Sequence, residues 1–301
     1  MILFWAVAVS GFVVLALSYA GAVTALGDSL SVIRPVVGLA GVLWIAGGWW
    51  LSLAHWGWLG VVVASILPDV FARFKPGWHV APEGSLRLYQ KNMSFGIQDA
   101  AQLEADIRAV SPDIVTLQEV SPNNRKLLEQ LRDVLPYQAY VDYAPVGGVA
   151  VASRLPMSND VPVTQVSGVG LVMLRVQGPQ GPFWAGSIHL PWPWPFDLHL
   201  HLESVLKTLA PHTGPFVIAG DFNMVPVAHV FRRLTRATGT YRAGRARASF
   251  RMWRGRIGLA LDHALIPRGV RAQTELRPDL GSDHKGLVVR FYPPINAASK
   301  G

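Results

Sequence analysis

The charged residues of this chain are distributed very unevenly, and that distribution divides the chain into two parts suited to different solvents. Asp28 and Arg34 are the only formal charges between Met1 and Leu67, so this first part has no net charge. The remainder carries the whole formal net charge of +8 and is long enough to bury a substantial core. The sequence therefore predicts an apolar N-terminal segment followed by one basic globular domain.

Three apolar stretches make up the first part of the chain, at residues 2–26, 35–54 and 56–67. About 20 apolar helical residues are enough to span the hydrocarbon core of a bilayer. Tryptophans, typical of the lipid–water interface, surround the second and third stretches: Trp44, Trp49, Trp50, Trp56 and Trp58. The first stretch lacks the basic start of a signal peptide, and its apolar run is too long for one. We therefore predict two or three transmembrane helices in residues 1–70 and a multi-pass protein of the cell membrane, with the bilayer as a partner.

The side of the membrane depends on very few basic residues. Arg73 and Lys75 follow the last apolar stretch, and Arg34 lies between the first two. By the positive-inside rule these charges favour a cytoplasmic position for the rest of the chain, although so few charges leave the side undetermined. The apolar segments hold no charge pair of the kind found in transport sites, which argues against a transporter or channel subunit.

Strand and helix patterns alternate in the second part of the chain. Residues 71–84 are predicted to be a linker because Lys75 to Gly84 contains two prolines and two glycines. A globular domain follows at 85–293, and 294–301 is expected to be a disordered tail. Apolar and β-branched runs predict strands at 86–91, 114–117, 148–152, 183–188, 216–218, 263–266 and 287–291. Helical spacing predicts helices at 100–110, 123–134 and 198–209. This mixture indicates an α/β fold of packed sheets covered by helices.

Polar side chains stand at the ends of these apolar strands. They are Asn92, Glu119, His189, Asp221, Asn223, Asp262 with His263, and Asp283 with His284. The chain has no cysteine, which excludes disulfides, thiolate zinc sites and thiol catalysis. Carboxylates, amides and imidazoles that meet at one edge of a sheet suit a hard, oxygen-binding cation such as Mg²⁺.

The order of these residues resembles the endonuclease/exonuclease/phosphatase superfamily, in its bacterial membrane-anchored type. The specific pieces are Leu117-Gln118-Glu119, Gly220-Asp221-Phe222-Asn223 and Ser282-Asp283-His284, which follow Asn92 in the family's order. The resemblance implies a four-layer α/β sandwich, with two mixed β-sheets flanked by helices, preceded here by the two or three transmembrane helices. It also implies a metal-dependent phosphodiesterase or endonuclease-like hydrolase.

The resemblance further implies a role for each matching position. Asn92, Glu119 and Asp283 would ligate Mg²⁺, for which Mn²⁺ is a substitute. Asp221 and Asn223 would orient the attacking water or the phosphate. His284, held by Asp262, would act as a base or bind a phosphate oxygen. His189 would contact the phosphate or assist the leaving group.

The substrate stays open at the level of sequence, between DNA, RNA and a phospholipid headgroup. Nine arginines between Arg232 and Arg256 form either a basic arm that contacts an anion or a solvated basic loop. The segment Pro191 to Phe196 either touches the bilayer or substrate or is a packed proline-rich loop. The alternative to an enzyme is a catalytically inactive binding module on the same fold, although none of the motif positions is replaced.

Overall fold

The computed structural model describes residues 1–74, 83–144, 146–158, 160–252 and 257–292. The helices are α1 (Ile2–Leu17), α2 (Ala25–Trp50), α3 (Trp56–Phe74), α4 (Ala101–Val110), α5 (Lys126–Gln130), α6 (Leu198–Leu209) and α7 (His229–Ala237). The strands are β1 (Leu86–Asn92), β2 (Ile114–Val120), β3 (Tyr137–Ala144), β4 (Gly147–Ser153), β5 (Thr164–Val166), β6 (Leu171–Gly178), β7 (Gly181–His189), β8 (Phe216–Asp221), β9 (Thr240–Arg242), β10 (Phe250–Met252), β11 (Ile257–Leu259), β12 (Asp262–Pro267), β13 (Ala272–Leu276) and β14 (Leu287–Phe291).

The first three helices pack side by side, with neighbours in the chain running in opposite directions. The Phe4 ring of α1 stacks on Trp44 near the far end of α2, with ring centroids 5.5 Å apart. At the other end of α2, Arg34 Nε donates to Asp69 Oδ2 of α3 at 2.7 Å, and both side chains are buried. The ends of α1 and α3 and the start of α2 therefore lie together.

Two expectations about this region are wrong in detail. The apolar stretch 2–26 is not one continuous span, because α1 ends at Leu17 and α2 begins at Ala25. Arg34 does not lie in a loop, and Pro35 does not begin a helix, because both are inside α2. Arg34 is accommodated there because Asp69 and the Ser18 carbonyl accept hydrogen bonds from its guanidinium. A further expectation, that the apolar segments hold no charge pair, is also wrong, because Arg34 of α2 and Asp69 of α3 form a buried ion pair.

Among the helices described, α2 is long and apolar enough to cross a membrane, and α1 and α3 are shorter apolar helices. The expected two or three transmembrane helices are therefore not confirmed, and one candidate span remains. Only 28% of the most apolar part of α2 is buried within the protein. Many large apolar side chains of the three helices are exposed, including Ile2, Leu43 and Trp50.

The rest of the described chain forms two mixed six-stranded sheets. The first has the order β13-β14-β1-β2-β4-β3 and the second β5-β6-β7-β8-β12-β9. Each sheet contains one parallel pair, β1 with β2 and β7 with β8, among antiparallel neighbours. A small two-stranded hairpin, β10-β11, lies outside both sheets.

Three apolar clusters divide this domain into four layers. The central cluster joins the inner faces of both sheets, with Leu88 and Val149 on one side and Val172 and Val217 on the other. A second cluster packs α4 and α5 on the outer face of the first sheet, and a third packs α6 and α7 on the second. The predicted α/β fold with two mixed sheets flanked by helices is confirmed.

One predicted helix is shorter than expected. Residues 123–134 contain only α5, Lys126–Gln130, flanked by turns. Asn124 is held in the turn before it, because its Oδ1 accepts from Ser121 N at 2.8 Å. Gln138 Nε2 donates hydrogen bonds to the carbonyls of Leu128, in α5, and Leu135, in the segment after it. Gln138 thus satisfies carbonyl acceptors in and after the short helix.

Several expectations fall outside the described residues. They concern Lys75 in the orientation argument, residues 75–82 of the linker, Arg254 and Arg256 of the basic segment, and the tail at 294–301.

Candidate active site

The predicted site residues meet because the parallel strand pairs end at the same edge of the two sheets. In register, Asn92 at the end of β1 pairs with Gln118, and His189 at the end of β7 pairs with Asp221. Asp262 begins the antiparallel strand β12 opposite Asp221. Carboxyl ends of parallel strands lie at one sheet edge, which is where polar side chains from different strands can converge.

Asn92 joins two carboxylates. Its Nδ2 donates to Glu119 Oε1 and to Asp221 Oδ2, both at 3.0 Å. Glu119 lies at a β-bulge between Gln118 and Val120 and has a left-handed backbone, with φ of 56°. This strained backbone turns its side chain toward Asn92, and Glu119 Oε2 also accepts from Phe95 N at 2.9 Å. Such strain at a polar cluster is typical of functional sites.

Asp221 and Asn223 form a tight turn after β8. Asp221 Oδ1 accepts from Asn223 N at 2.8 Å, and Asn223 adopts a left-handed backbone with φ of 48°. Asn223 Nδ2 donates to the Leu190 carbonyl at 2.7 Å. Both side chains are buried, and burial raises the pKa of Asp221 above its usual range. The two residues thus form an Asx turn, which positions both side chains.

His284 and Asp262 form a buried ion pair. His284 Nδ1 lies 2.7 Å from Asp262 Oδ2, and His284 Nε2 faces Asp221 Oδ2 at 3.6 Å. Burial disfavours the charged imidazole, but the carboxylates of Asp262 and Asp221 outweigh it and raise the pKa of His284 to about 10. Burial likewise opposes ionisation of Asp262, but His284 keeps the pKa of this carboxyl below its usual value.

His189 is buried in the opposite protonation state. Burial, reinforced by the charge of His284, lowers the pKa of His189 to about 4. Its Nε2 lies 3.5 Å from Asn223 Nδ2 and 3.7 Å from Asp221 Oδ2. Its Nδ1 finds no hydrogen-bond partner among the described residues. The site therefore offers one charged and one neutral imidazole.

Tyr143 belongs to the site but was missed in the sequence. Its ring packs edge-on to His189, with centroids 5.6 Å apart, and also contacts His201. Burial and the neighbouring Asp221 raise the pKa of Tyr143 to about 12, so its hydroxyl keeps its proton. No motif marked this residue, because it lies at the end of a strand, β3, that was not predicted.

A buried polar chain behind the site was also missed. Gln90 Nε2 donates to Asp262 Oδ1 at 2.7 Å and to Gln118 Oε1 at 2.8 Å. Gln118 Nε2 in turn donates to Ser187 Oγ at 2.9 Å. These contacts cross from one sheet to the other and fix the Asp262 carboxylate. Only Gln118, inside the Leu-Gln-Glu motif, carried a signal in the sequence.

The loop that carries His284 is fastened to β1. Ser282 Oγ donates to the Asn92 carbonyl at 2.8 Å and accepts from His284 N at 3.0 Å. The buried Lys91 ammonium donates to the carbonyls of Asp279 and His284, and burial lowers its pKa to about 8. The side chain of Asp283, by contrast, is exposed and has no described hydrogen bond to Asn92 or Glu119.

The oxygen-rich edge of the site fits a divalent cation. Glu119 and Asp221 place carboxylate oxygens 3.0 Å from Asn92 Nδ2, so two carboxylates converge on one donor group. Ligand atoms of Asp221, Asp262 and His284 also lie within 4.8 Å of one another, but there the charged His284 imidazole takes the place of a cation between the two buried carboxylates. Such a concentration of buried carboxylate suits a hard cation with oxygen ligands, and a bound cation would relieve the cost of burying Asp221 as an anion.

The arginine-rich segment is divided among several elements. Arg232 and Arg236 are exposed on α7, whereas Arg233 pairs with Glu203 at 2.6 Å. Arg242 is buried in β9, and Arg251 in β10 faces Asp279 at 3.8 Å. The described part is therefore not a single basic arm.

The hairpin that carries Arg251 also covers the site. The Phe250 ring lies 4.7 Å from the His284 ring and 6.3 Å from Trp192. Trp192 is half-buried, while Trp194 and Phe196 of the same loop are exposed. The loop after His189 is thus packed against the protein near Trp192 and exposed to its surroundings at Trp194 and Phe196.

A two-sheet α/β sandwich with carboxylate, amide and imidazole side chains at one edge of the sheets defines the structural class. The sequence profile of the endonuclease/exonuclease/phosphatase family matches residues 90–284, and the chain belongs to this family.

Solved structures show the same fold at low sequence identity. A family protein from Leptotrichia buccalis superposes with a TM-score of 0.53 at 16% identity, over 68% of this chain and 98% of its own. The human Nocturnin catalytic domain, solved with a bound sulfate anion, has a TM-score of 0.51 at 18% identity, over 70% and 96%. The endonuclease domain of TRAS1, a telomere-specific non-LTR retrotransposon, has a TM-score of 0.51 at 14% identity, over 69% and 98%. No curated protein sequence matches the chain.

Proposed function

We propose that this protein is a membrane-anchored, Mg²⁺-dependent phosphoesterase that hydrolyses phosphodiesters. The observation that carries the proposal is the convergence of Asn92, Glu119, Asp221, Asp262 and His284 at one edge of the two sheets. Family membership supports it, and none of the motif positions is replaced. An inactive binding module would not need the buried charge pair of Asp262 and His284, which is costly to maintain.

Glu119 and Asn92 would hold the metal ion, with Asp221 beside it and Asp283 at the exposed rim. Bound there, Mg²⁺ supplies positive charge against the phosphate oxygens and the leaving oxygen. Asn92 is adjacent to both carboxylates in the structure. Mn²⁺, which accepts similar oxygen ligands, would replace Mg²⁺.

Asp221 is the residue that would take the proton from the attacking water. Burial raises its pKa, which makes its carboxylate a better base, and Asn223 is fixed next to it by the turn. His284 would bind a phosphate oxygen as an imidazolium, because its pKa of about 10 keeps it charged at neutral pH. Of the two roles predicted for His284, the charge distribution thus favours phosphate binding over general base.

His189 and Tyr143 would lie on the other side of the phosphate. His189 is neutral at pH 7 and has a free Nδ1 among the described residues, so it can donate to or accept from a substrate oxygen. Tyr143 keeps its proton and can donate through its hydroxyl. Neutral donors at this position stabilise developing negative charge without adding a second cation beside His284.

The anchor would be α2, with α1 and α3 packed against it. α2 is long and apolar enough to span a bilayer, and most of its apolar surface is not covered by protein. Large exposed apolar surfaces of this kind mark membrane or partner contact. The tryptophans near the α2–α3 connection would lie at the membrane interface far from the domain.

The test uses the full chain in liposomes, assayed on plasmid DNA, RNA and phospholipid with Mg²⁺ or EDTA. His284→Ala is compared with His55→Ala, a matched loss of an exposed imidazole outside the site. We expect hydrolysis of one substrate class that EDTA and His284→Ala abolish and His55→Ala leaves unchanged. Binding of Mg²⁺ without turnover of any phosphoester, soluble or lipid, would instead favour the binding module.

A further inference from the structure

An exposed apolar surface lies next to the candidate active site. Trp194, Phe196 and Leu200 are 62%, 56% and 68% exposed and occupy one short segment, from the loop after His189 to the first turn of α6. We call these three side chains the loop patch. Three large exposed apolar side chains so close in sequence indicate a contact surface rather than scattered surface residues.

The loop patch is attached to the start of α2. Trp194 N donates to Ser29 Oγ at 3.0 Å, and Ser29 Oγ is 3.4 Å from the Trp194 carbonyl. Next to Ser29, the buried Asp28 carboxylate accepts from His229 N at 2.6 Å and lies 3.1 Å from His199 Nε2. These contacts hold the loop patch at the level of Asp28 along α2.

That level coincides with a membrane interface if α2 crosses the bilayer. Trp50 lies near the other interface, with Trp49 and Trp56 in ring contact beside it. At a rise of about 1.5 Å per residue, Asp28 and Trp50 are roughly 33 Å apart along the helix. The hydrocarbon core of a bilayer is about 30 Å thick. Asp28, Ser29 and the attached loop patch therefore lie at the interface nearer the domain.

Two short chains of contacts lead from this segment to the reacting groups. Trp192 contacts Phe250, whose ring lies 4.7 Å from His284. On α6, His201 contacts Tyr143, whose ring packs against His189. The patch-bearing segment thus borders the active site on both the His284 side and the His189 side.

We propose that the loop patch inserts into the leaflet at which α2 begins and holds the active site over it, so that the substrate is a phosphoester of a lipid in the same bilayer. This inference rests on the proposed phosphoesterase function. The exposed Arg232 and Arg236 lie on α7, whose first amide bonds to Asp28, so they add positive charge at the same level and favour an anionic leaflet. The aliphatic Leu200 and the position of the loop patch at the level of Asp28 favour a lipid surface over stacked nucleobases as the occupant.

The contact with the leaflet can be measured without any enzymatic activity. The chain has no cysteine, so Phe196→Cys introduces a single thiol for an environment-sensitive fluorophore. The full chain is placed in vesicles of phosphatidylcholine and phosphatidylglycerol that contain a lipid-attached quencher. Glu129→Cys, exposed on α5 in the opposite outer layer, is the control. We expect at least several-fold stronger quenching at position 196 than at 129, and equal quenching would overturn the leaflet contact.

The substrate is tested with a triple variant in the same vesicles: Trp194→Ser, Phe196→Ser and Leu200→Ser. Release of headgroup phosphate from the vesicle lipids is compared with hydrolysis of dissolved bis(p-nitrophenyl) phosphate. We expect the lipid rate to fall at least tenfold while the rate on the soluble diester stays within about twofold. Val134→Ser with Val166→Ser, exposed apolar residues elsewhere, should change neither rate.

The outcomes separate this inference from the proposed function. If the protein cleaves the soluble diester in an EDTA-sensitive way, the proposed function stands and the lipid substrate can be judged alone. Three results would overturn the lipid substrate: no cleavage of vesicle lipid, preferred cleavage of DNA or RNA, or an unchanged lipid rate in the triple variant. If the wild-type protein cleaves neither the vesicle lipid nor the soluble diester, the proposed function is contradicted. The quenching experiment would still decide whether the loop patch contacts the leaflet.

Discussion

His284 Nδ1 lies 2.7 Å from Asp262 Oδ2 in a fully buried contact, and the Gln90 amide binds the other oxygen of the same carboxylate. Gln90 thereby fixes the carboxylate plane, and the carboxylate fixes the imidazole. The ring is thus oriented by residues of both sheets, and its Nε2 is directed toward Asp221. A neutral replacement of Asp262 would keep the shape of this contact and remove its charge.

Asp262→Asn should therefore lower the turnover number by roughly 10²–10³-fold with a smaller effect on substrate affinity, as for loss of one positioned group that stabilises charge in the transition state. Histidine NMR should show a lower pKa for His284, because the main carboxylate that raises it is gone. Asp197→Asn, at an exposed aspartate in the N-cap position before α6, serves as the control. An unchanged rate on a soluble diester would exclude the role given to this pair.

Metal affinity should depend on Glu119 more than on Asp283. Glu119 lies in the cluster with Asn92 and Asp221, whereas Asp283 is exposed. We expect Glu119→Gln to weaken Mn²⁺ binding by at least about tenfold, in the range seen when metal-site residues are lost, and Asp283→Asn to weaken it less. Isothermal titration calorimetry of the detergent-solubilised protein measures the Mn²⁺ affinity of both variants. A larger loss of Mn²⁺ affinity in Asp283→Asn than in Glu119→Gln would place the metal ion at the exposed edge of the site near Asp283. The sequence-based ligand set of Asn92, Glu119 and Asp283 allows that position.

The sequence predicted the residues at the strand ends better than it predicted the elements between them. Apolar strands with polar residues at one end gave β1, β2, β7, β8, β12 and β14 and the site at their ends. The short edge strand β9 and the hairpin β10-β11 were missed, because arginine-rich segments with few apolar residues carry little periodicity. Gln90 and Lys91 could not be recognised as buried, because their partners come from the other sheet and from a distant loop.

The N-terminal region shows the same limit. Composition predicted apolar helices, but it could not locate Arg34 inside α2, since the partner that makes this burial tolerable, Asp69, lies 35 residues away. Likewise, nothing in the sequence indicated that Asp28 accepts hydrogen bonds at the start of α7. Long-range polar pairs of this kind become visible only when the fold is known.

Acid should destabilise the protein through its buried neutral histidines. Burial, with a contribution from Arg242, lowers the pKa of His263 to about 4. The unfolded chain therefore binds this proton more readily, so the stability that His263 contributes is full above about pH 6.5 and is lost as pH falls toward 4. The loss is on the order of 3 kcal/mol for a shift of this size.

Thermal unfolding of the detergent-solubilised chain between pH 7.5 and 4.5 tests this linkage. The midpoint temperature should fall less steeply for His263→Gln than for the wild type, because the glutamine does not titrate. His55→Gln, which replaces an exposed histidine, should follow the wild-type curve. Parallel curves for His263→Gln and the wild type would show that His263 does not carry the effect.

Docking of the apolar helices on the domain should depend on Asp28. Its carboxylate accepts from the first amides of α7, at His229 and Val230, and lies against His199. Asp28→Ala removes this cap, at a cost of about 0.5–2 kcal/mol. Hydrogen exchange at residues 229 and 230 should become faster, whereas Asp99→Ala, at the start of α4, should leave it unchanged. Unchanged exchange in Asp28→Ala would mean that the cap adds nothing to docking.

The central claim is that the cluster at the sheet edge hydrolyses a phosphodiester with a bound divalent metal ion. The most direct measurement is the rate of bis(p-nitrophenyl) phosphate hydrolysis by the full chain as Mg²⁺ is titrated after EDTA treatment, for the wild type and Asp221→Asn. The account predicts saturable activation of the wild type and a loss of at least about 10²-fold in Asp221→Asn. Hydrolysis that is independent of Mg²⁺, or equal in the two proteins, would contradict it.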